Sequence, residues 1–576
     1  MDDKFLSYYE HELDLLRHAS GRFAEEFPKI AKRLQISGQE CADPYVERLL
    51  EGTAFLTARI ARKLDDGQQE FPEALLDQMA PGYNMPLVSR GIIRLRPGKP
   101  VELPAGTLFT VPTTLPDASP CTYALREPLC SSGLLVTESE YVELPELPVK
   151  PAGVCGALRW RVACTAAAGA GPVRFFVNMP PSAAGELLQL LLTECAGVVA
   201  CHGGRVRELP AAAPEECRLP DTPQGLPHVA EFFLMAEQAA FITIRGLREE
   251  LPESGEAELY LMLRRGPTER LRTLLHRAES VLTDCARVIN AFPKRLSRIT
   301  PSWREYEHAV ADATAAADFE VLQIFKGSAY SVDNAKLFDI YPFYYADDAA
   351  MPEGNTRLNY FSMRREQPVA PPRKRLSPYR GAEAYLQVSG PEYTAMRDMV
   401  HSYALEALCS NRDLPLFLRK DVPLSAGELK ADFVVAPTPP QEPLMQDAAR
   451  WMGLALARLA PGMLAGYAPQ ELPVLLRNLL SHLHRADNRA ALRYVSGITA
   501  VQLRSCSRTV PVQGDLCVVR GWHYDIRLNE EAFGGSGVFL FAAALAADLL
   551  RLGEINTFSE VAVHTTEQHL NTWRQQ

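Results

Sequence analysis

Apolar residues fall at alternating spacings of three and four near the start of the chain: Leu6, Tyr9, Leu13, Leu16, Phe23 and Phe27, with Ser20 in one slot. Such a stripe predicts an amphipathic helix from Asp3 to Phe27. Asp43 then stands as an N-cap before Pro44 in the first helical position, and Val46, Leu49, Thr53, Leu56, Ile60 and Leu64 repeat the spacing. A second helix is expected there. A shorter helical run, Phe71 to Met79, ends at Pro81-Gly82, which cannot continue a helix. Residues 1–85 are therefore read as one helical unit.

The period then changes. Gly91 to Arg96, Thr107 to Val111, Arg174 to Val177 and Ala240 to Ile244 are short β-type runs separated by proline and glycine turns, with Ala183 to Glu194 as a helical insertion. Residues 86–262 read as a β-rich middle domain. Helical spacing returns from Glu269 to Leu282, and Asp318 to Ile324 alternates in the manner of a half-buried strand, which makes residues 263–435 a second α+β unit. The tract Ala436 to Pro443 is too rich in proline for a helix or strand and reads as a linker. In residues 436–576 the pattern predicts helices at Asp447 to Ala460 and Pro469 to Leu483, and a strand at Tyr524 to Leu528. A buried helix at Val538 to Leu552 and a final strand at Ser559 to His564 complete this C-terminal α+β domain. The expected class is multidomain α+β, and the absence of a fixed-period repeat disfavours a solenoid or propeller.

Composition narrows the function classes. At 576 residues, 47% hydrophobic and 23% charged, the chain has ample material for large cores. A net charge of −10 supplies no overall positive field to gather phosphate backbones, so nucleic acid is not an expected partner. Met1-Asp2-Asp3-Lys4 leads into an amphipathic pattern rather than a signal peptide, and Val538 to Ala547 is about half of a membrane span, so a cytoplasmic location is expected. Twelve cysteines without C-x-x-C spacing read as reduced, mostly buried thiols.

Candidate chemistry is sparse. Gly534-Gly535-Ser536-Gly537 between a strand and a helix resembles a phosphate loop, but Leu540 stands where G-x-G-x-x-G requires glycine, and a tight turn is the simpler reading. His482 and His484, with Asp487 nearby, are two apart on a predicted helix and project to opposite sides, so they do not chelate together. Asp65-Asp66 and Asp347-Asp348 are adjacent carboxylates not aimed at one centre, and neither H-E-x-x-H nor G-x-S-x-G occurs. Arg373-Lys374-Arg375 beside Pro371-Pro372 reads as a solvated loop, and Cys409 to Pro415, with Arg412-Asp413, as a hydrogen-bonded turn before a strand. No catalytic, cofactor-binding or metal residues are assigned.

Four segments taken in order carry a resemblance. The first is Phe5 to Leu13, Phe27 to Ala31 and Asp43 to Gly52. The second is Val288-Ile289-Asn290-Ala291-Phe292-Pro293-Lys294-Arg295 with Asp318-Phe319-Glu320-Val321. The third is Ala407 to Pro415. The fourth is Arg520-Gly521, Asn529 to Gly535, Phe539-Leu540-Phe541 and Ile555-Asn556-Thr557-Phe558. The ordered set resembles the TssF family, also called ImpG or VasA, of type VI secretion baseplate subunits. Ala291 and Ala542 depart from the family's usual leucine and glycine, and the stretch 99–258 matches poorly.

The resemblance implies a structural, non-enzymatic subunit that joins TssG and a second TssF copy in a wedge. It further implies recruitment of TssK and TssE around the VgrG spike, and indirect contact with the membrane complex at the inner membrane. Large apolar faces suit that role, and no tuned acid, base or metal is needed for it. The candidate interface is Leu6, Tyr9, Leu13, Leu16, Phe23 and Phe27 on the first helix with Val46, Leu49, Leu56 and Ile60 on the second. These stripes either pack on each other within one subunit or enter a bundle with TssG and a second copy. A phage-like or tailocin baseplate part, or a cytoplasmic hydrolase with a cleft in the β-rich middle, are the competing readings.

Overall fold

The computed structural model describes the chain except for residues 1–2, 34–35, 38–39, 42, 69–80, 99, 167–170, 211, 222–224, 278, 303–305, 313–314, 343–358, 367–376, 420, 445–463, 486, 513–514, 535–536, 553–556, 567 and 575–576. The expected helices at Phe71 to Met79 and Asp447 to Ala460, the Asp347-Asp348 pair and the basic cluster Arg373 to Arg375 lie outside the described residues. Two compact units are distinguished, Met1–Leu76 and Asp77–Gln576.

The first unit consists of α1 (Asp3–Glu26), the short α2 (Pro28–Arg33), a two-stranded hairpin at Ile36–Ser37 and Glu40–Cys41, and α3 (Pro44–Gln68). Asp43 acts as the predicted cap, its carboxylate accepting from the Tyr45 amide at 2.9 Å. α1 and α3 pair antiparallel, since the contacts run from Phe5 on Phe55, an edge-on ring pair at 5.2 Å, to Arg17 with Glu47 at 2.6 Å.

The second unit is mostly sheet. A six-stranded closed barrel is assembled from remote parts of the chain, in the order Cys285–Ile289, Arg90–Leu95, Leu429–Val435, Leu424–Ala426, Leu108–Val111 and Cys121–Leu125. Ile93, Phe109, Tyr123, Ala286 and Val288 fill it, each fully buried. A five-stranded sheet centres on Gly255–Leu263 and Gly156–Cys164, and a four-stranded sheet runs Pro214–Glu216, Phe241–Ile244, Val173–Val177, Val281–Thr283. Trp160 of the first meets Phe175 of the second at 4.9 Å, both fully buried. A seven-stranded sheet holds Phe292–Arg295, Ser402–Ser410 and Glu320–Tyr330 side by side.

The chain ends in a four-stranded sheet, Ile498–Val512, Asp515–Leu528, Phe558–Thr565 and His569–Arg574. The second and third of these strands are parallel, so a crossover must join them, and the apolar helix Val538–Arg551 provides it. The helix is buried on more than one side: Phe539 lies on Trp573 of the sheet at 5.7 Å, while Phe541 turns to Phe232 at 5.7 Å and to Phe533 at 5.3 Å.

Several expected boundaries are corrected. The helix from Glu269 ends at Leu275, because Val281-Leu282-Thr283 pairs instead with Phe175 to Val177 as a sheet edge. The tract at 436–443 is not a free linker: Thr438 and Gln441 donate their amides to the Arg90 and Leu87 carbonyls, each at 2.8 Å. Prolines confine it to one irregular edge beside the barrel. The strand at Tyr524 begins at Asp515 and forms a long ribbon with Ile498–Val512; the strand expected at Ser559 to His564 is present as Phe558–Thr565, but it is not the last, since His569–Arg574 follows it.

Candidate partner interface and buried joints

α3 has two opposing faces. At 100° per residue, Tyr45, Leu49, Leu56, Ile60 and Leu64 share one stripe, while Leu50, Ala54 and Ala58 lie on the other side. Ala54 and Ala58 are fully buried, whereas Tyr45, Leu49, Leu56, Ile60 and Leu64 are 81%, 70%, 59%, 61% and 64% exposed. The small residues let α1 approach closely, and the large apolar ones are turned away from it. Of the sequence-derived interface residues on α1, Tyr9, Leu13, Leu16 and Phe23 are half-buried on the side of Phe5, while Leu6 and Phe27 are exposed. On α3, Val46 is half-buried, and Leu49, Leu56 and Ile60 are exposed. The candidate residues therefore do not form one surface: most of the α1 stripe lies toward α3, and most of the α3 stripe lies open.

The segments that carry the family resemblance in the second unit are internal joints. Asn290 and Asn411 are 1% and 0% exposed. Asn290 Nδ2 donates to Asn411 Oδ1 at 2.8 Å and to the Thr122 carbonyl at 2.7 Å, and the Asn411 amide donates back to Asn290 Oδ1 at 2.8 Å. Thr122 N completes the set on Asn411 Oδ1 at 2.7 Å, so two remote loops are tied to one barrel strand. Arg412 sits in the left-handed region, φ 49°, and donates to the Arg380 carbonyl at 2.7 Å; the Cys409–Pro415 segment is the hydrogen-bonded turn expected of it. Buried Glu320 accepts from Tyr379 Oη at 2.7 Å and the Ala382 amide at 2.6 Å, and burial pushes its carboxyl above the usual range.

Gly534 and Gly537 both take left-handed conformations, φ 53° and 50°, around the start of the Val538 helix, which is turn geometry. Phe533 beside them stacks on Tyr494 at 5.2 Å and meets Phe541 at 5.3 Å. Gly521 faces Phe558 across the parallel pair, where an added Cβ would stand 2.5 Å from the Phe558 carbonyl oxygen.

A buried ion cluster escaped the sequence reading. Glu231, 1% exposed, accepts from Arg90 Nε at 2.9 Å, Arg90 Nη2 at 3.0 Å and Arg126 Nη1 at 3.1 Å. Burial raises its carboxyl, and the two guanidiniums more than offset that, leaving the group below the ordinary carboxylate range. Next to it, Arg287 Nη1 donates to both Glu127 oxygens at 2.9 Å while its guanidinium lies 4.1 Å over the Phe241 ring. Arg90, Arg126 and Arg287 come from barrel-side segments and Glu231 from the helix His228–Leu234, so the charges fasten that helix to the barrel. The signal available in the sequence was a single charge inside an apolar run, as in Cys285-Ala286-Arg287-Val288-Ile289.

His484 is buried edge-on to Phe233 at 5.4 Å, with Nδ1 2.8 Å from the Arg485 carbonyl oxygen, and no group of three or more His, Cys, Asp or Glu among the described residues is placed to hold a metal. Ten cysteines are described as free, four of them buried and two, Cys130 and Cys155, exposed. Among the described residues no helix is long and apolar enough to cross a membrane.

Comparison with known proteins converges on one family. The chain matches the family described as "Type VI secretion system, TssF" over residues 1–576. It is 30% identical to the type VI secretion system component TssF1 of Pseudomonas aeruginosa, over 99% of this chain and 97% of that protein. A chain in the cryo-electron microscopy structure of the type VI secretion system TssK-TssF-TssG baseplate subcomplex is similar in fold, with a TM-score of 0.69 at 18% identity over 92% of this chain and 98% of that one. A second structure, the baseplate complex from the type VI secretion system, is similar with a TM-score of 0.54 at 16% identity over 99% of this chain and 98% of that one. With the family matched from end to end and a 30% identical relative spanning nearly the whole length, this chain belongs to the TssF family of the type VI secretion system.

Proposed function

We propose that this protein is a structural baseplate subunit of a type VI secretion machine, assembling with TssG and TssK. The observation that carries the contact is the reversed polarity of α3, with alanines turned inward and Leu49, Leu56, Ile60 and Leu64 turned outward. A helix that served only its own unit would bury its largest side chains. Full burial of a leucine or isoleucine contributes about 1.5–3 kcal/mol, so covering four that are more than half exposed supplies several kcal/mol to association. The stripe suits a helix from TssG laid along α3, with a second copy of this chain completing a bundle. Membership of the family and the likeness to chains of baseplate complexes support the same reading. Recruitment of TssE, proximity to the VgrG spike, a role without catalysis, and action in the cytoplasm at the inner membrane belong to this proposal.

Co-expression with TssG and TssK of the same secretion system, followed by size-exclusion chromatography, tests it. The wild-type chain elutes with both partners, and a Leu49→Glu, Leu56→Glu, Ile60→Glu variant keeps its helix content and loses TssG. A wild-type chain that elutes alone overturns the functional assignment; a triple variant that still co-elutes overturns the α3 contact.

A further inference from the structure

The face of the C-terminal sheet opposite the Val538–Arg551 helix is polar, and one point on it brings two histidines together. A register shift between Val563 and His564 places His564 opposite His569 across the terminal hairpin, whose turn is closed by the Thr565 amide on the Gln568 carbonyl at 2.8 Å. The two Nδ1 atoms stand 3.2 Å apart. Their outer nitrogens face oxygens: His569 Nε2 lies 3.2 Å from Thr572 Oγ1, within hydrogen-bond reach, and His564 Nε2 lies 3.8 Å from Asp525 Oδ1, too far for a hydrogen bond. Glu560 is already occupied by Arg574 at 3.1 Å and His523 at 3.4 Å, and so does not compete for the pair.

We propose that His564 and His569 form a two-imidazole site for a late first-row divalent cation such as Zn²⁺, Ni²⁺ or Cu²⁺, with water completing the coordination. With the ring protons on the Nε2 atoms, on the side of Thr572 and Asp525, both Nδ1 lone pairs point into the gap between the rings. In that tautomer the two lone pairs repel unless a cation, a metal ion or a shared proton, lies between them. Metal–nitrogen bonds of about 2.0–2.1 Å in tetrahedral geometry set ligating nitrogens about 3.3–3.4 Å apart, close to the separation found here. The ring centroids, 4.6 Å apart, would open by only a few tenths of an ångström to admit the ion. Imidazole selects these metals over calcium or magnesium, and an outer hydrogen bond such as that between His569 and Thr572 fixes the ring orientation. His564 is 34% exposed and His569 is exposed, so the site is open to solvent.

The test is a Cu²⁺ titration of the untagged, metal-free full-length protein with its thiols alkylated, which removes Cys130 and Cys155 as competitors. Electron paramagnetic resonance should show superhyperfine splitting from two imidazole nitrogens at one equivalent, and calorimetry with Zn²⁺ should give one site. His564→Gln and His569→Gln should each weaken binding at least tenfold and remove the two-nitrogen signature. His523→Gln should leave both unchanged, and Thr572→Val should weaken the site by about 10-fold without abolishing it. Binding of equal strength in the His564→Gln, His569→Gln double variant, or no uptake by the wild type because the pair holds a shared proton only, overturns the proposal. Unchanged circular dichroism spectra of the variants separate loss of the site from loss of the fold.

Discussion

Glu231→Ala should loosen the barrel more than any surface ion-pair deletion. Glu231 is the counter-charge for both Arg90 and Arg126, whose side chains are 1% and 0% exposed, so its removal strands two guanidiniums away from water. Arg90 also donates to the Val88 carbonyl at 2.6 Å, and Arg126 to Gln238 and the Pro220 carbonyl, acceptors that carry no charge. Deleting one member of a buried pair costs about 3–5 kcal/mol, and this carboxylate serves two partners. At about 1.36 kcal/mol per decade, protection of the Arg90–Leu95 and His228–Leu234 amides from hydrogen exchange should fall by roughly 150-fold or more. Mass spectrometry of peptides spanning those segments measures it. Glu231→Gln, which keeps the volume and removes the charge, should lose a similar amount, since its amide would face guanidinium donors. As a control, Glu279→Ala breaks an ion pair to Arg94 on the same strand; with Glu279 67% exposed, the loss should stay below about 1 kcal/mol. A drop of less than tenfold for Glu231→Ala, or equal losses for the two sites, would falsify the claim that this cluster fastens the helix to the barrel.

The depressed carboxyl of Glu231 sets a pH dependence. Its contribution is complete above the ordinary glutamate range, near pH 4.3, and is lost as pH falls through its folded value. The urea-stability difference between wild type and Glu231→Gln should be flat from pH 8 to 5 and narrow only below it; a difference that widens on acidification would show the sign is wrong. Gly521→Ala places a methyl 2.5 Å from the Phe558 carbonyl oxygen, against backbone that cannot swing aside. The resulting strain should cost about 1–3 kcal/mol, read as faster exchange in Asp515–Leu528 and Phe558–Thr565, and normal protection there would refute the steric argument.

What could be read in the sequence was whatever depends on neighbours along the chain. The α1 and α3 stripes, the Asp43-Pro44 start and the Val538 helix follow from spacing and capping, and they appear where spacing put them. The barrel could not be read that way. In the barrel Leu95 pairs with Ala431, and in the seven-stranded sheet Phe292 pairs with Cys409; such registers depend on side chains hundreds or more than a hundred residues away. The helix expected to run to Leu282 failed for the same reason, since Val281 to Thr283 finds a ladder partner in Phe175 to Val177. The candidate interface was only half legible. Periodicity identifies the large apolar stripe of α3 but gives no weight to Ala54 and Ala58, the two fully buried residues that decide which side meets α1.

That division between joints and surface separates two kinds of residue with different consequences. Asn290 and Asn411 belong to segments that mark the family, yet both are buried and spend their hydrogen bonds on each other and on Pro120 to Thr122. They hold loops to the barrel. Asn290→Ala would leave Asn411 Oδ1 with one donor fewer and strip the Thr122 carbonyl of its side-chain donor, an unsatisfied-group cost of about 1–3 kcal/mol. The variant should lower the unfolding midpoint of the chain and, where it remains folded, bind TssG with wild-type affinity. The Leu49, Leu56 and Ile60 substitutions should do the reverse, leaving the midpoint within error and removing TssG. Measuring both properties on both variants tests the separation: an Asn290→Ala protein that folds normally but fails to bind TssG would place the family's marked segments in the contact and not beneath it.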